Sequence, residues 1–100
     1  MNQIRHVPWQ RLDKWLVNAR IVKTRALAAQ LISRGNIRLN RLPATKPHAK
    51  LRCGDVLTLS LSNKVRVIEI RGMAASRGPA SAATLLFADI PSTEHALRDH

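Results

Sequence analysis

Apolar residues near the start of the chain recur at helical spacing. Leu12, Trp15, Leu16 and Ala19 fall at positions i, i+3, i+4 and i+7, which is one face of an amphipathic helix. We therefore predict a first helix over residues 9–19, with Trp15 in the core. The polar residues on the opposite side, which we expect to face solvent, are Arg11, Lys14 and Asn18.

A second helix is predicted over residues 24–34. Thr24 is a favourable N-cap, and Gly35 suits the position that follows the last helical turn. Lys23 and Arg25 lie at the helix start, where the helix dipole is already positive and cations are unfavourable unless an anion is bound. The arrangement predicts either a phosphate at this helix start or two side chains that extend into solvent.

Beyond Gly35 the pattern changes from helical to alternating. We predict a strand beginning at Ile37, a loop over 41–50, and an antiparallel hairpin formed by strands 56–61 and 65–71. The small residues that follow predict a short helical turn before residue 84. Residues 84–88 are expected to form an edge strand or to pack loosely, and residues 91–100 to form a frayed tail.

Charge is distributed unevenly along the chain. Its 100 residues carry 17 Lys and Arg against six Asp and Glu, a formal charge of +11. Residues 1–50 contain eleven of these cations and a single acid, Asp13. The strong positive charge of this half of the chain predicts a polyanionic partner such as nucleic acid. The alternative is that these side chains only form a basic, solvated surface. We expect Asp13 to be structural, orienting a neighbouring arginine or capping the helix start.

Several other classes of protein are disfavoured. The single cysteine, Cys53, excludes an intramolecular disulfide and is predicted to be a buried, reduced thiol. Apolar runs reach four residues, too few to span a bilayer, and the first twenty residues do not resemble a signal peptide. We therefore expect a cytoplasmic protein with no membrane partner.

Catalysis has little support in the sequence. The histidines are scattered, the first half has no paired carboxylates, and the glycines form no phosphate-binding fingerprint. We expect neither an enzyme nor a cofactor or metal site. The only aromatic residues are Trp9, Trp15 and Phe87, so we expect nucleic acid to be recognised through its backbone and shape rather than by stacking on a sheet.

The side chains expected to contact nucleic acid combine planar guanidinium groups, flexible ammonium groups and two neutral hydrogen-bonding groups. They are Arg11, Lys14, Arg20, Lys23, Thr24, Arg25, Arg34, Arg38, Asn40 and Lys46.

Motifs between residues 11 and 62 together resemble a known family. The matching segments are RLDKWL at 11–16, AR at 19–20, KTRA at 23–26 and GDVL at 54–57, with Ala28, Leu31, Ile32, Gly35, Ile37, Leu39 and Asn40 between them. At this spacing they resemble the S4-like RNA-binding domain. Lys46-Pro47 and the segment RGPA at 77–80 are most similar to its branch of ribosome-associated heat-shock proteins of about 15 kDa.

The resemblance implies an α+β, S4-like (αL-type) fold, in which two short helices pack on a small antiparallel twisted sheet. We accordingly divide the chain into an N-terminal segment 1–8, an S4-like domain 9–71, a C-terminal extension 72–90 and a flexible tail 91–100. The implied partner is structured RNA, ribosomal RNA of the 50S subunit or tRNA held on it, in a stress or translation-rescue role. A general DNA- or RNA-binding accessory protein is the alternative, and we expect a monomer.

Overall fold

The computed structural model describes residues 8–91, and in this range it places three helices and two antiparallel sheets around a single core. The chain order is β1 (Trp9–Arg11), α1 (Leu12–Asn18), α2 (Arg25–Ser33), β2 (Ile37–Leu39), β3 (Leu42–Pro43), β4 (Lys50–Arg52), β5 (Val56–Leu61), β6 (Lys64–Ile70), α3 (Ala80–Ala83) and β7 (Phe87–Asp89). The predicted α+β class, with short helices packed on a small antiparallel sheet, is therefore confirmed.

The main sheet has five strands in the order β3-β2-β5-β6-β7, and every neighbouring pair is antiparallel. Alternation sets which side chains enter the core. Leu57 and Leu59 of β5 point into the core and are fully buried, whereas Ser60, the next residue of the same strand, points outward and is exposed. The hairpin of β5 and β6 confirms the predicted pairing, with the second strand starting and ending one residue earlier than expected.

Trp15 occupies the centre of the core, as predicted. Its side chain is fully buried, its indole N–H donates to the Gly72 carbonyl oxygen at 2.9 Å, and its ring meets the Phe87 ring edge-on at 6.1 Å between centroids. The helix thereby contacts the chain that follows β6. Residues after 71 thus share the core. Of the two alternatives for residues 84–88, the edge strand is the one that forms, but it covers Phe87–Asp89, where β7 pairs with β6. The division at residue 71 stays a prediction.

The second helix matches its prediction closely. It covers Arg25–Ser33, and the Thr24 hydroxyl accepts the Leu27 backbone N–H at 3.1 Å, as an N-cap does. Gly35 follows with a φ of +80°, in the left-handed region that glycine adopts readily.

The predicted first helix is wrong at its start. Residues 9–11 form β1, and their backbone pairs with β4 in a separate two-stranded ribbon, so the helix begins only at Leu12. The predicted loop 41–50 is likewise interrupted, by β3, which pairs locally with β2, and by the first residue of β4, which pairs with β1. Pairing between segments forty residues apart overrides the local helical pattern here.

Two predicted environments are also wrong. Asn18 was expected to face solvent, but it is 7% exposed and its amide donates to the Ala74 carbonyl oxygen at 2.8 Å. Cys53 was expected to be buried, but it is exposed, because the turn between β4 and β5 lifts it away from the sheet. The predicted segment 1–8 and tail 91–100 lie outside the described residues, apart from Pro8 and Pro91.

None of the helices within residues 8–91 combines the length and the hydrophobicity that a membrane crossing requires.

Replacing the central indole tests the packing just described. Trp15→Leu is expected to lower the free energy of unfolding by about 3 kcal/mol, because it leaves a cavity and removes the donor to Gly72. Urea denaturation followed by far-ultraviolet circular dichroism measures the loss. Leu42→Ala, at a side chain that is 71% exposed, is the control and should change stability by less than about 0.5 kcal/mol. Equal effects of the two substitutions would contradict the assigned core.

Candidate nucleic-acid interface

Asp13 connects the starts of the first two helices. Its carboxylate accepts hydrogen bonds from Nε and Nη2 of Arg11 at 3.1 and 2.9 Å, and from Nη2 of Arg25 at 3.3 Å. The backbone N–H of Lys14 donates to the same carboxylate at 2.8 Å. The Asp13 side chain is only 5% exposed, whereas those of Arg11 and Arg25 are 41% and 53% exposed. One buried anion therefore holds two cations at the protein surface.

The surroundings of Asp13 keep it charged. Burial by itself raises the pKa of this carboxyl, because the ionised form loses hydration. The hydrogen bonds from Arg11 and from the Lys14 backbone, the positive charge of Arg11 and the hydrogen bond from Arg25 outweigh burial and hold the pKa below its ordinary value. At neutral pH the group is therefore a fixed negative charge, which confirms the structural role expected for Asp13.

An acidic side chain of α1 lies at the start of α2. Arg25 pairs with Asp13, so an unfavourable cation at the positive end of the helix is balanced by a carboxylate of the same chain. This pairing was not among the two alternatives that the sequence suggested. Lys23, by contrast, is exposed and forms no ion pair with any residue in 8–91.

The loop that carries Lys46 lies against the first turn of α1. The carbonyl oxygen of Pro47 accepts the N–H of Asp13 at 3.0 Å, and that of Ala49 accepts the N–H of Leu12 at 2.9 Å. These bonds satisfy donors that a helix start leaves without partners. The bonded residues Pro47 and Asp13 are the sequence neighbours of Lys46 and Lys14, and both lysines are exposed.

The remaining predicted cations are spread over other surfaces. Arg34 caps the end of α2 and lines, together with Lys23, a shallow groove of about 400 Å³. Arg38 extends from β2 and donates weakly to the Arg41 carbonyl oxygen at 3.4 Å. Arg20 turns toward the C-terminal segment, where its Nε donates to the Gly78 carbonyl oxygen at 2.8 Å. These three do not join the group around Asp13.

Asn40 is engaged within the protein at both ends of its amide. Its oxygen accepts the Val56 N–H at 2.9 Å, and its nitrogen donates to Oδ1 of Asp55 at 3.1 Å. Asn40 and Arg41 form the two-residue turn between β2 and β3, with φ values of +50° and +75°. Asparagine tolerates this left-handed backbone better than most residues. Its amide thus anchors the turn to the start of β5.

The sequence prediction missed two of the three cations of the β1–β4 ribbon, those on β4. Lys50 and Arg52 lie on β4 opposite Arg11 and Trp9, and all four side chains share the outward face. The prediction omitted the two β4 residues because it assigned residues 9–19 to one helix and 41–50 to a loop. Along the sequence, Trp9 and Arg11 lie two positions apart, and so do Lys50 and Arg52. This spacing of two is the sequence signal that indicates strands here.

Removing the Asp13 charge tests whether it organises this surface. Asp13→Asn is expected to lower the free energy of unfolding at pH 7 by about 1–2 kcal/mol, because two guanidinium groups lose a charged acceptor while staying partly hydrated. The folded-state pKa of Asp13 is depressed, so its stabilisation is present at neutral pH and is lost as the pH falls below about 4. Urea denaturation at several pH values should show the two proteins converging in acid.

Asp89→Asn is the matched control for that substitution. Asp89 pairs with Arg66 at 2.7 Å but is 57% exposed, so its removal should cost at most about 1 kcal/mol. An Asp13→Asn protein as stable as the wild type at pH 7, or a difference that persists unchanged at pH 3, would contradict the role of Asp13.

Comparisons with known proteins agree with this geometry. The S4 domain model matches residues 10–57. The chain is 40% identical to heat shock protein 15 of Escherichia coli over 77 residues, which are 77% of this chain and 57% of that protein. It therefore spans little more than half the length of that curated relative. It is 32% identical to the RQC P-site tRNA stabilizing factor of Streptococcus pneumoniae over 73 residues, which are 73% of this chain and 82% of that protein.

A solved structure extends the match to the whole fold. The trimeric structure of heat shock protein 15 from Vibrio cholerae superposes with a TM-score of 0.79 at 30% identity, covering 92% of this chain and 91% of that one. The trimer is a property of that protein, and the monomer expected here stays a prediction. On these matches in sequence and structure, the chain belongs to the S4 domain family, in its heat shock protein 15 branch.

Proposed function

We propose that this protein binds structured RNA of the large ribosomal subunit, in a stress or translation-rescue role. The observation that carries the proposal is the group of cations around the starts of α1 and α2. Lys14, Lys23 and Lys46 are exposed there without ion pairs in residues 8–91, beside the Arg11 and Arg25 pair that Asp13 holds. Such a concentration of fixed positive charge attracts a phosphate backbone.

The arginine pair can bind phosphate without leaving Asp13. A guanidinium group has five N–H donors, and Arg11 directs only its Nε and one Nη toward the carboxylate. Arg25 uses a single Nη, and both side chains are about half exposed. The unused donors therefore point outward in a fixed orientation. Binding through them sacrifices little side-chain freedom, because Asp13 has already restricted it.

The five-stranded sheet is poorly suited to base recognition. Its aromatic residue in the described chain, Phe87, is half-buried and packs against Trp15, and the Arg66 guanidinium lies 5.1 Å from its ring centroid. Neither ring face is offered to solvent as a platform. The helix face that we propose as the main contact accordingly recognises the phosphate backbone and the shape of folded RNA.

The relatives support a ribosomal partner over a general nucleic-acid binder. One is named heat shock protein 15, and another is named RQC P-site tRNA stabilizing factor. From the second name we extend tRNA to this chain as a neighbouring contact, and we take ribosomal RNA of the large subunit as its main partner. The competing function is general DNA and RNA binding, which charge alone would give.

Co-sedimentation with separated ribosomal subunits tests the proposal. The wild type is expected to pellet with large subunits, and the double variant Lys14→Ala/Lys23→Ala to bind at least about tenfold more weakly because two phosphate contacts are lost. Lys64→Ala/Arg77→Ala removes the same charge from exposed positions elsewhere and should pellet like the wild type. Excess duplex DNA is included as a competitor in every reaction.

Two results would overturn parts of this proposal. Equal losses for the two double variants would remove the assigned face and leave only net charge as the cause of binding. Complete displacement by duplex DNA would contradict ribosomal specificity and favour the general nucleic-acid binder.

A further inference from the structure

The β1–β4 ribbon presents a second cationic surface, which adjoins the helix starts at Arg11. Its register pairs Trp9 with Arg52 and Arg11 with Lys50, and residues that face each other across antiparallel strands lie on the same side. Between them, Gln10 and Leu51 point to the other side, where Leu51 is fully buried in the core. The outward face of the ribbon therefore consists of one tryptophan and three cations, Trp9, Arg11, Lys50 and Arg52.

Trp9 differs from the other aromatic residues of the described chain. It is 48% exposed, whereas Trp15 is fully buried and Phe87 is half-buried under Arg66. The Nζ of Lys50 lies 4.7 Å from the centroid of the Trp9 ring. An indole with a mobile cation above it has a ring face that a second flat group can occupy once the lysine side chain moves. The Trp9 side chain is large and apolar and is not part of the core, yet about half of it remains exposed to solvent.

We propose that this face binds unpaired RNA nucleotides, with a base stacked on Trp9 and the adjoining phosphates bound by Lys50 and Arg52. The inference rests on the proposed RNA-binding function and specifies a second element of its ligand. Stacking on an aromatic ring tolerates any base, and nearby cations neutralise the backbone of the same strand. Lys50 serves both states, covering the ring in the free protein and moving to a phosphate when a base replaces it.

Arg11 joins this surface to the helix face. Its side chain belongs to the outward side of the ribbon, and its guanidinium is fixed by Asp13, which also holds Arg25 at the start of α2. The two cationic surfaces are thus continuous through a single residue. A ligand that fits both is a base-paired RNA stem followed directly by unpaired nucleotides, with the stem on the helices and the single strand on the ribbon.

A purely structural role for Trp9 makes a different prediction. A cation–π pair across two strands can stabilise the ribbon without any ligand. In that case, replacing Trp9 would lower stability and weaken binding to every RNA equally. A stacking role instead weakens binding only when an unpaired base is present, so the choice of RNA separates the two roles.

The test compares RNA affinities of the full chain for three ligands that share one stem. The first is a blunt RNA hairpin, the second carries a three-nucleotide adenine overhang, and the third carries the same overhang without its bases. Trp9→Leu should lower affinity for the adenine overhang by about 5- to 100-fold and leave affinity for the blunt hairpin within twofold. Trp9→Phe retains a flat ring and should recover most of that loss.

The abasic ligand tests base stacking with the wild-type protein, so this result does not depend on whether a variant folds. Wild-type affinity for this ligand should fall to that of Trp9→Leu with the adenine overhang, and combining the two changes should cause no further loss. Intrinsic fluorescence adds a direct signal, because Trp9 is the exposed one of the chain's two tryptophans. We expect quenching by the adenine overhang and little change with the other two ligands.

The possible failures are distinguishable. If Trp9→Leu binds the adenine overhang as tightly as the wild type, or if the abasic ligand binds the wild type undiminished, the stacking inference is overturned and the helix face is unaffected. Equal weakening of all three ligands by Trp9→Leu would make Trp9 a packing residue of the ribbon. If the wild type binds none of the three RNAs, the proposed function itself falls.

Discussion

A buried carboxylate that faces two guanidinium groups is the constraint on which this surface depends. Asp13 is the single acid among the first fifty residues, which also contain eleven cations. Without it, Arg11 and Arg25 would repel each other at the adjoining starts of α1 and α2. Removing both arginines from solvent would be costly, but each stays about half hydrated while only the carboxylate is buried. The ion pair therefore fixes the cations in position and leaves donors available outside.

The core supports this electrostatic arrangement from beneath. Leu12 and Trp15 lie on either side of Asp13 in the sequence, and both are fully buried. Their packing determines where the start of α1 lies, and the backbone bonds from Asp13 and Leu12 to the Pro47 and Ala49 carbonyl oxygens position the Lys46 loop beside it. The same short helix thus anchors the core on one side and orders charged groups on the other. The stability of the core and the placement of the charged groups are therefore coupled through neighbouring residues.

The elements that could be predicted from sequence are those defined by local patterns. Thr24 marks the start of α2 and Gly35 its end, because an N-cap and a left-handed glycine act within a few residues. The β5–β6 hairpin follows from alternation around a short turn. The β1–β4 ribbon could not be found this way, because Trp9 acquires its strand conformation by pairing with Arg52 far along the chain. Asn18 was misplaced for a similar reason, since its partner Ala74 is 56 positions away.

The same distinction between local patterns and long-range pairing applies to the candidate site. The family motifs and the charge asymmetry indicated which cations to consider, and five of them, Arg11, Lys14, Lys23, Arg25 and Lys46, lie around the starts of α1 and α2. The pairing of Arg25 with Asp13 depends on how the two helices pack, which local spacing does not specify. The outward tryptophan of the ribbon required knowledge of the strand register. Together these contacts describe a surface that combines fixed arginines, mobile lysines and one flat ring.

The salt dependence of RNA affinity tests the central claim most directly, namely that phosphate contacts to fixed cations supply the binding energy. Affinity for a structured large-subunit RNA fragment would be measured by fluorescence anisotropy across a series of salt concentrations. If about five phosphates are contacted, the logarithm of the association constant should fall with the logarithm of salt at a slope of roughly −3.5 to −4.5. A slope near zero with affinity retained would contradict the electrostatic account.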